Sequence, residues 1–270
     1  MILAHKIMLI LFKYIPVICI AGVLLNNIMY YCIVSDVLSK DVLLIFKKIP
    51  YFLDGITGIS VIQLFLLFLI SIKFKYCAWH RVLLINCAAN LLLAIMDAFG
   101  LLEIMFLDYF QLIATISIVF CTIAAIIHIH NVRQGHRICL SEHSTSSRLD
   151  HFMLGFVKWF PIIQLCGFML SNLIATFDGN IYYCYALDFS MGNSFLFTLF
   201  LFFLSLRLGF PLYHRLLIVA NLINLSIAFC EANIYSIPAA SDLMFYCYYW
   251  IAPSLCLLVI LFNHIKKHRI

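Results

Sequence analysis

The side chains best placed to do chemistry in this chain are amides and carboxylates set inside long apolar runs. Asn86, Asn90 and Asp97 lie in one such run, and Asn221, Asn224 and Glu231 in another. Asn86 and Asn90 are four residues apart and Asn221 and Asn224 three apart, so each pair shares one face of a helix. Polar and ionisable groups in apolar helices mark routes for a solute or a proton. The competing use is interhelical hydrogen bonding, worth roughly 0.6 kcal/mol per contact. Asn27 and Asn172 are expected to serve that second purpose. Two His-Arg pairs, His80-Arg81 and His214-Arg215, stand where apolar runs begin. There they are expected to anchor the helix starts to lipid headgroups.

Nothing in the chain is arranged for catalysis. No GxSxG, HExxH, P-loop or Gly-rich dinucleotide turn occurs, so no enzyme is expected. The residues His128, His130, His136, Cys139, His143 and His151 cluster in sequence, yet their spacings match no standard zinc site. Nearly all histidines lie at the ends of apolar runs, which leaves no interior pair for haem. No metal and no cofactor is therefore expected. The eleven cysteines contain no CxxC, and most sit inside apolar runs as small hydrophobes. Only Cys32, Cys184 and Cys247 fall where a disulfide could form.

These residues need elements to hold them, and the composition says which. The chain has 270 residues, 65% hydrophobic and 11% charged, with a mean hydropathy of +1.08. A water-soluble globule and a disordered chain are both excluded. The net charge of +5 is too small to point to nucleic acid as a partner. Eight stretches approach the roughly 20 apolar residues that a crossing helix needs, at 9–32, 55–73, 82–101, 109–129, 156–177, 190–207, 215–235 and 244–263. None has the alternating pattern of a barrel wall. Basic residues gather between alternate runs, at Lys73, Arg81, Arg133, Arg137, Arg207 and Arg215, and at both ends of the chain. Acidic residues, Glu103, Asp108, Asp178, Asp188 and Asp242, gather on the other side. The loop 33–54, with Lys40, Lys47 and Lys48, is the exception. Lys and Arg mark the cytoplasmic side, so both termini are expected there, in a bacterial inner membrane.

The runs also repeat. His80-Arg81 pairs with His214-Arg215 at an offset of 134 residues, as do Asp54 with Asp188, Gly58 with Gly192, Ser60 with Ser194 and Ser71 with Ser205. The same offset aligns Asn90 with Asn224 and Asp97 with Glu231. Nearer the start the offset is 145, pairing Lys13 with Lys158, Pro16 with Pro161, Gly22 with Gly167 and Asn27 with Asn172. The expected architecture is an all-α polytopic membrane protein of eight helices in two four-helix repeats, 1–132 and 153–270, joined by a cytoplasmic linker at 133–152. An even number of spans per repeat makes the copies parallel, related by an axis along the membrane normal. On a rise of about 1.5 Å per residue, Arg81 to Asp97 and Arg215 to Glu231 each span roughly 24 Å, and Asn90 and Asn224 lie roughly 13 Å in.

The run Phe74-Lys75-Tyr76-Cys77-Ala78-Trp79-His80-Arg81 and the stretch Gly192-Asn193-Ser194 resemble uncharacterised four-helix membrane proteins of gut anaerobes and their phages. That resemblance implies a membrane protein carried on mobile DNA and transfers no functional residue. Two functions are expected from the residues. One is a small-solute or ion pathway lined by Asn86, Asn90, Asp97, Asn221, Asn224 and Glu231. The other is a non-transporting membrane factor with a dry Phe- and Leu-packed interior: a scaffold, an exclusion or immunity protein, or a permeabilising protein. The lipid bilayer is the partner in either case, and a copy of the chain itself is a further candidate.

Overall fold

Nine helices account for almost all of the described chain. The structure is a computed structural model and describes residues 2–34, 49–74, 76–101, 106–133, 147–177, 181–192 and 194–234, with 258 and 263. The helices are α1 Ile2–Val34, α2 Ile49–Thr57, α3 Val61–Lys73, α4 Ala78–Ala98, α5 Phe106–Arg133, α6 Ser147–Phe177, α7 Ile181–Met191, α8 Phe195–Arg207 and α9 Leu212–Ile234. No strand occurs among the described residues. Among the described residues five stretches are long and apolar enough to cross a membrane: His5–Ile33, Leu53–Lys73, Ala78–Ala98, Gln111–Arg133 and Ala186–Arg207. The expected run at 156–177 lies within α6, whose qualifying apolar part, Phe152–Gly167, is shorter. The expected run at 244–263 lies outside the described residues, apart from Leu258 and Asn263.

The packing is that of a protein made for lipid. Large apolar side chains such as Ile85, Leu92, Ile118, Ile126 and Leu216 face outward, while Gln63, Ser71, His80, Asn86 and His214 are fully buried. Without water, backbone polar groups must be satisfied within the protein, which favours helices throughout. Helix ends are closed locally. At the end of α4, Gly100 (φ +64) lets the Leu101 N–H reach the Met96 carbonyl, and at the end of α8, Gly209 (φ +68) does the same for Phe210 and Ser205.

The helices cross over in their contacts. Helix α1 packs on α2 and α4 and also on α8, while α6 packs on α7 and α9 and also on α3. The core lies where α1, α3, α4, α6 and α8 meet. Phe12 stacks on Phe200 at 5.9 Å, Phe200 meets Phe197 at 5.8 Å, and Phe197 meets Phe160 at 5.3 Å. Four rings thus run from α1 through α8 to α6 without a gap, and all four are at most 2% exposed.

Two expected runs, 55–73 and 190–207, are not continuous helices. The chain leaves helical geometry at Gly58–Ser60 between α2 and α3, and again at Gly192 and Ser194 between α7 and α8. Ser60 (φ −100, ψ 165) and Ser194 (φ −135, ψ 152) are extended, each starting a new helix. The cause is local. The N–H of Gly58 bonds the Asp54 carbonyl at 2.8 Å, and a Cβ on Gly58 would press against that same oxygen. Gly192 is held on the Asp188 carbonyl at 2.7 Å in the same way. Only a residue without a Cβ fits either place.

Candidate functional site

Both helix breaks open onto one cavity of about 700 Å³. Its wall takes Gly58, Ile59 and Ser60 from the first break and Met191 and Gly192 from the second. Helix α1 contributes Cys19, Val23, Asn26 and Asn27, and α4 contributes Cys87, Asn90, Ala94 and Asp97. Asp54, Asp188, Tyr30 and Tyr109 complete the polar lining, so three carboxylates share one space. All three are exposed there. Gln63, fully buried, ties the two breaks together. Its Oε1 accepts from the Ser60 N–H at 3.1 Å, and its Nε2 donates to the Gly192 carbonyl at 2.9 Å.

The cavity is shallow relative to the bundle. Ser194 marks the second break, and Phe197 and Phe200 follow it by roughly 4.5 and 9 Å along α8 at the usual helical rise. The chain of four phenylalanine rings therefore lies just beneath the cavity floor. One end of the bundle is hollow and acidic, and the other is packed shut. The packed end carries Lys73, Arg81, Arg207 and Arg215, with Arg207 Nη1 against His5 Nδ1.

The candidate residues separate into two groups. Asn90 and Asp97 line the cavity, and Asn27 does too. Asn90 is 3% exposed, and its Nδ2 donates to Ser117 Oγ at 3.1 Å, joining α4 to α5. Asn27, expected as a contact between helices, instead donates to Val23 of its own helix at 2.8 Å. The physical reason is that Asn27 lies one turn beyond Val23, on the face of α1 that lines the cavity and not on one that meets a neighbouring helix. Asn86, Asn221 and Asn224 are buried but lie off the cavity. Asn86 has no partner for either amide atom among the described residues. Asn221 donates to the Pro161 carbonyl at 3.0 Å. The side chains of Glu231 and Asn172 lie outside the described residues, as do those of Cys184, Cys247, His136, Cys139, His143 and His151.

The two histidines expected at the headgroups need correction. His80 and His214 are completely buried, and each repairs a proline. Pro16 and Pro161 sit inside α1 and α6 and have no N–H, so the carbonyls four residues earlier, Phe12 and Val157, lose their helical donor. His80 Nε2 takes the Phe12 carbonyl at 2.8 Å, and His214 Nε2 takes the Val157 carbonyl at 2.9 Å. A carbonyl can only accept, so Nε2 carries the hydrogen in both rings. His214 Nδ1 also meets Ser205 Oγ at 2.8 Å. Ser71 Oγ and His80 Nδ1, each 134 residues earlier in the sequence, have no partner among the described residues. Arg81 and Arg215 are half-buried beside them, with Arg215 Nη2 donating to the Phe210 carbonyl at 2.9 Å.

Sequence reasoning missed Asp54, Asp188, Ser60 and Tyr109 as members of a site. The signal was a glycine and a serine two residues apart within an apolar run, twice over. Interrupted apolar segments of that kind point to binding sites in transporters. Neither a family model, nor a curated protein, nor a solved structure matches this chain.

Proposed function

We propose that this protein is a membrane transporter for a small solute, built from two parallel four-helix repeats and open at its acidic end. The observation that carries the reading is the pairing of two broken helices on one 700 Å³ cavity. Discontinuous helices facing each other across a repeat interface are the common way to build a solute site within a bilayer. The Phe12–Phe200–Phe197–Phe160 seal beneath the floor makes it a site of alternating access and not an open pore.

Several geometric facts support duplication. Helices α3 and α8 begin and end 134 residues apart, at 61 and 195 and at 73 and 207, and α4 and α9 begin at 78 and 212. The His80–Phe12 and His214–Val157 bonds fall at the sequence offsets of 134 and 145. So do the contacts of Cys87 with the Pro16 carbonyl and of Asn221 with the Pro161 carbonyl. The reading includes eight spans, both termini in the cytoplasm and an inner-membrane location, resting on the distribution of Lys and Arg. It keeps the resemblance to four-helix proteins of gut anaerobes and their phages as its statement of origin.

The phenylalanine seal is what the second reading, a non-transporting membrane factor, would emphasise. Flux separates the two. Proteoliposomes are offered radiolabelled ethanolammonium, glycerol and lactate, one at a time. At least one is expected to enter faster than into protein-free vesicles, and Asn90→Leu is expected to bring that uptake to background while circular dichroism stays helical. Uptake of none of them, or uptake indifferent to Asn90→Leu, would reject the transport reading.

A further inference from the structure

Among the described residues the charge lining the cavity is all of one sign. Asp54, Asp97 and Asp188 open onto it, and no lysine, arginine or histidine is among the described residues that line it. Low-dielectric walls focus such a field, so the space concentrates cations and repels anions. The acidic cluster is not the only indication. Asn90 is 3% exposed, its Nδ2 is engaged by Ser117, and its Oδ1 has no partner among the described residues. Buried polar atoms in folded proteins are nearly always satisfied. An amide oxygen can only accept, so what completes Asn90 must bring a donor.

Size and lining narrow the class. About 700 Å³ is the volume of a site for a small organic molecule and far exceeds a bare ion. Among the described residues the carboxylates do not converge with one another, or with His or Cys, into a metal-ligating group. Much of the wall is apolar, with Leu91, Ile113, Met191 and Leu225. Tyr30, Tyr109 and Phe189 also line it, and aromatic rings attract a cation as well as an apolar body. We infer that the cavity takes a small organic ammonium ion, its N–H groups on Asn90 Oδ1 and the carboxylates and its carbon body on the apolar wall. The inference rests on the solute-site reading above and assigns that site its substrate class.

Asn26 already donates to Asp54 Oδ1 at 2.8 Å, so Asp54 arrives partly compensated. Asp97 and Asp188 are the carboxylates substituted in the test. The whole protein in lipid nanodiscs is titrated calorimetrically with phenethylammonium, with neutral 2-phenylethanol and with anionic phenylacetate. Phenethylammonium is expected to bind at least about tenfold tighter than either isostere. Asp97→Asn and Asp188→Asn are each expected to lower its affinity about tenfold, and Asp97→Glu to stay within about threefold of the parent. Unchanged thermal melting of the Asn variants shows that they remain folded. Equal binding of the three probes, no binding of phenethylammonium, or full affinity in the folded Asn variants would overturn the inference. Flux distinguishes this failure from that of transport. Ammonium binding without uptake removes the transport reading and leaves the site, whereas uptake of glycerol or lactate with no ammonium preference does the reverse.

Discussion

Alanine at Gly192 is expected to destabilise the protein by about 3 kcal/mol, the upper end of what an overpacked interior costs. The added Cβ falls on the Asp188 carbonyl oxygen. That atom is main chain and is itself held by the Gly192 N–H at 2.7 Å, so it cannot swing aside as a side-chain tip would. Gly58→Ala meets the Asp54 carbonyl in the same way and is expected to act in the same direction. Gly55 and Gly155 serve as controls, because a Cβ on either meets nothing within 4 Å. Both lie in helices, where Ala is favoured over Gly by up to about 1 kcal/mol, so their replacement is expected to be neutral or stabilising. Unfolding in detergent micelles, followed by circular dichroism, reads all four. If Gly192→Ala melts with the parent protein, the break between α7 and α8 is not held as described.

The second large effect belongs to the buried histidines. His214→Ala leaves the Val157 carbonyl without a donor, at about 1–3 kcal/mol, and removes the stacking on Phe210 at 4.5 Å. A total near 3 kcal/mol is expected. The diagnostic is what happens when the proline goes too. Pro161→Ala restores an N–H that can bond Val157 within α6, so His214→Ala is expected to cost about 1–2 kcal/mol less in that background. Equal costs in both backgrounds would mean that the histidine is not there to repair the helix. The pair Pro16 and His80 should couple with the same sign.

Much of the membrane character was legible because it is a matter of composition and length. The four-residue spacing of Asn86 and Asn90 puts both on one face of α4 leading to Asp97; Asn90 and Asp97 line the cavity, whereas Asn86 is buried away from it. The helix breaks were not legible. Gly58-Ile59-Ser60 reads as an unremarkable part of an apolar run unless one asks what a Cβ at 58 would strike, which only the neighbouring carbonyl answers. His80 and His214 misled for a related reason. Their position beside Arg81 and Arg215 suggested headgroups, but their partners, Phe12 and Val157, are supplied by helices far away in sequence. The clue lay with Pro16 and Pro161, each of which creates an acceptor that something must fill. Long-range pairings of this kind depend on packing between helices and leave no periodic trace.

The central claim is that water and solute reach Asn90 from the acidic end. Asn90→Cys and Ile85→Cys are made singly in a chain lacking its native cysteines. Each is treated, in vesicles with the acidic end outward, with a membrane-impermeant thiol reagent. Ile85 faces outward on the same helix and serves as the lipid control. Rapid labelling at 90 with position 85 silent is the expected result. Labelling at 90 no faster than at 85, in folded protein, would contradict it and leave Asn90 as a hydrogen bond between two helices.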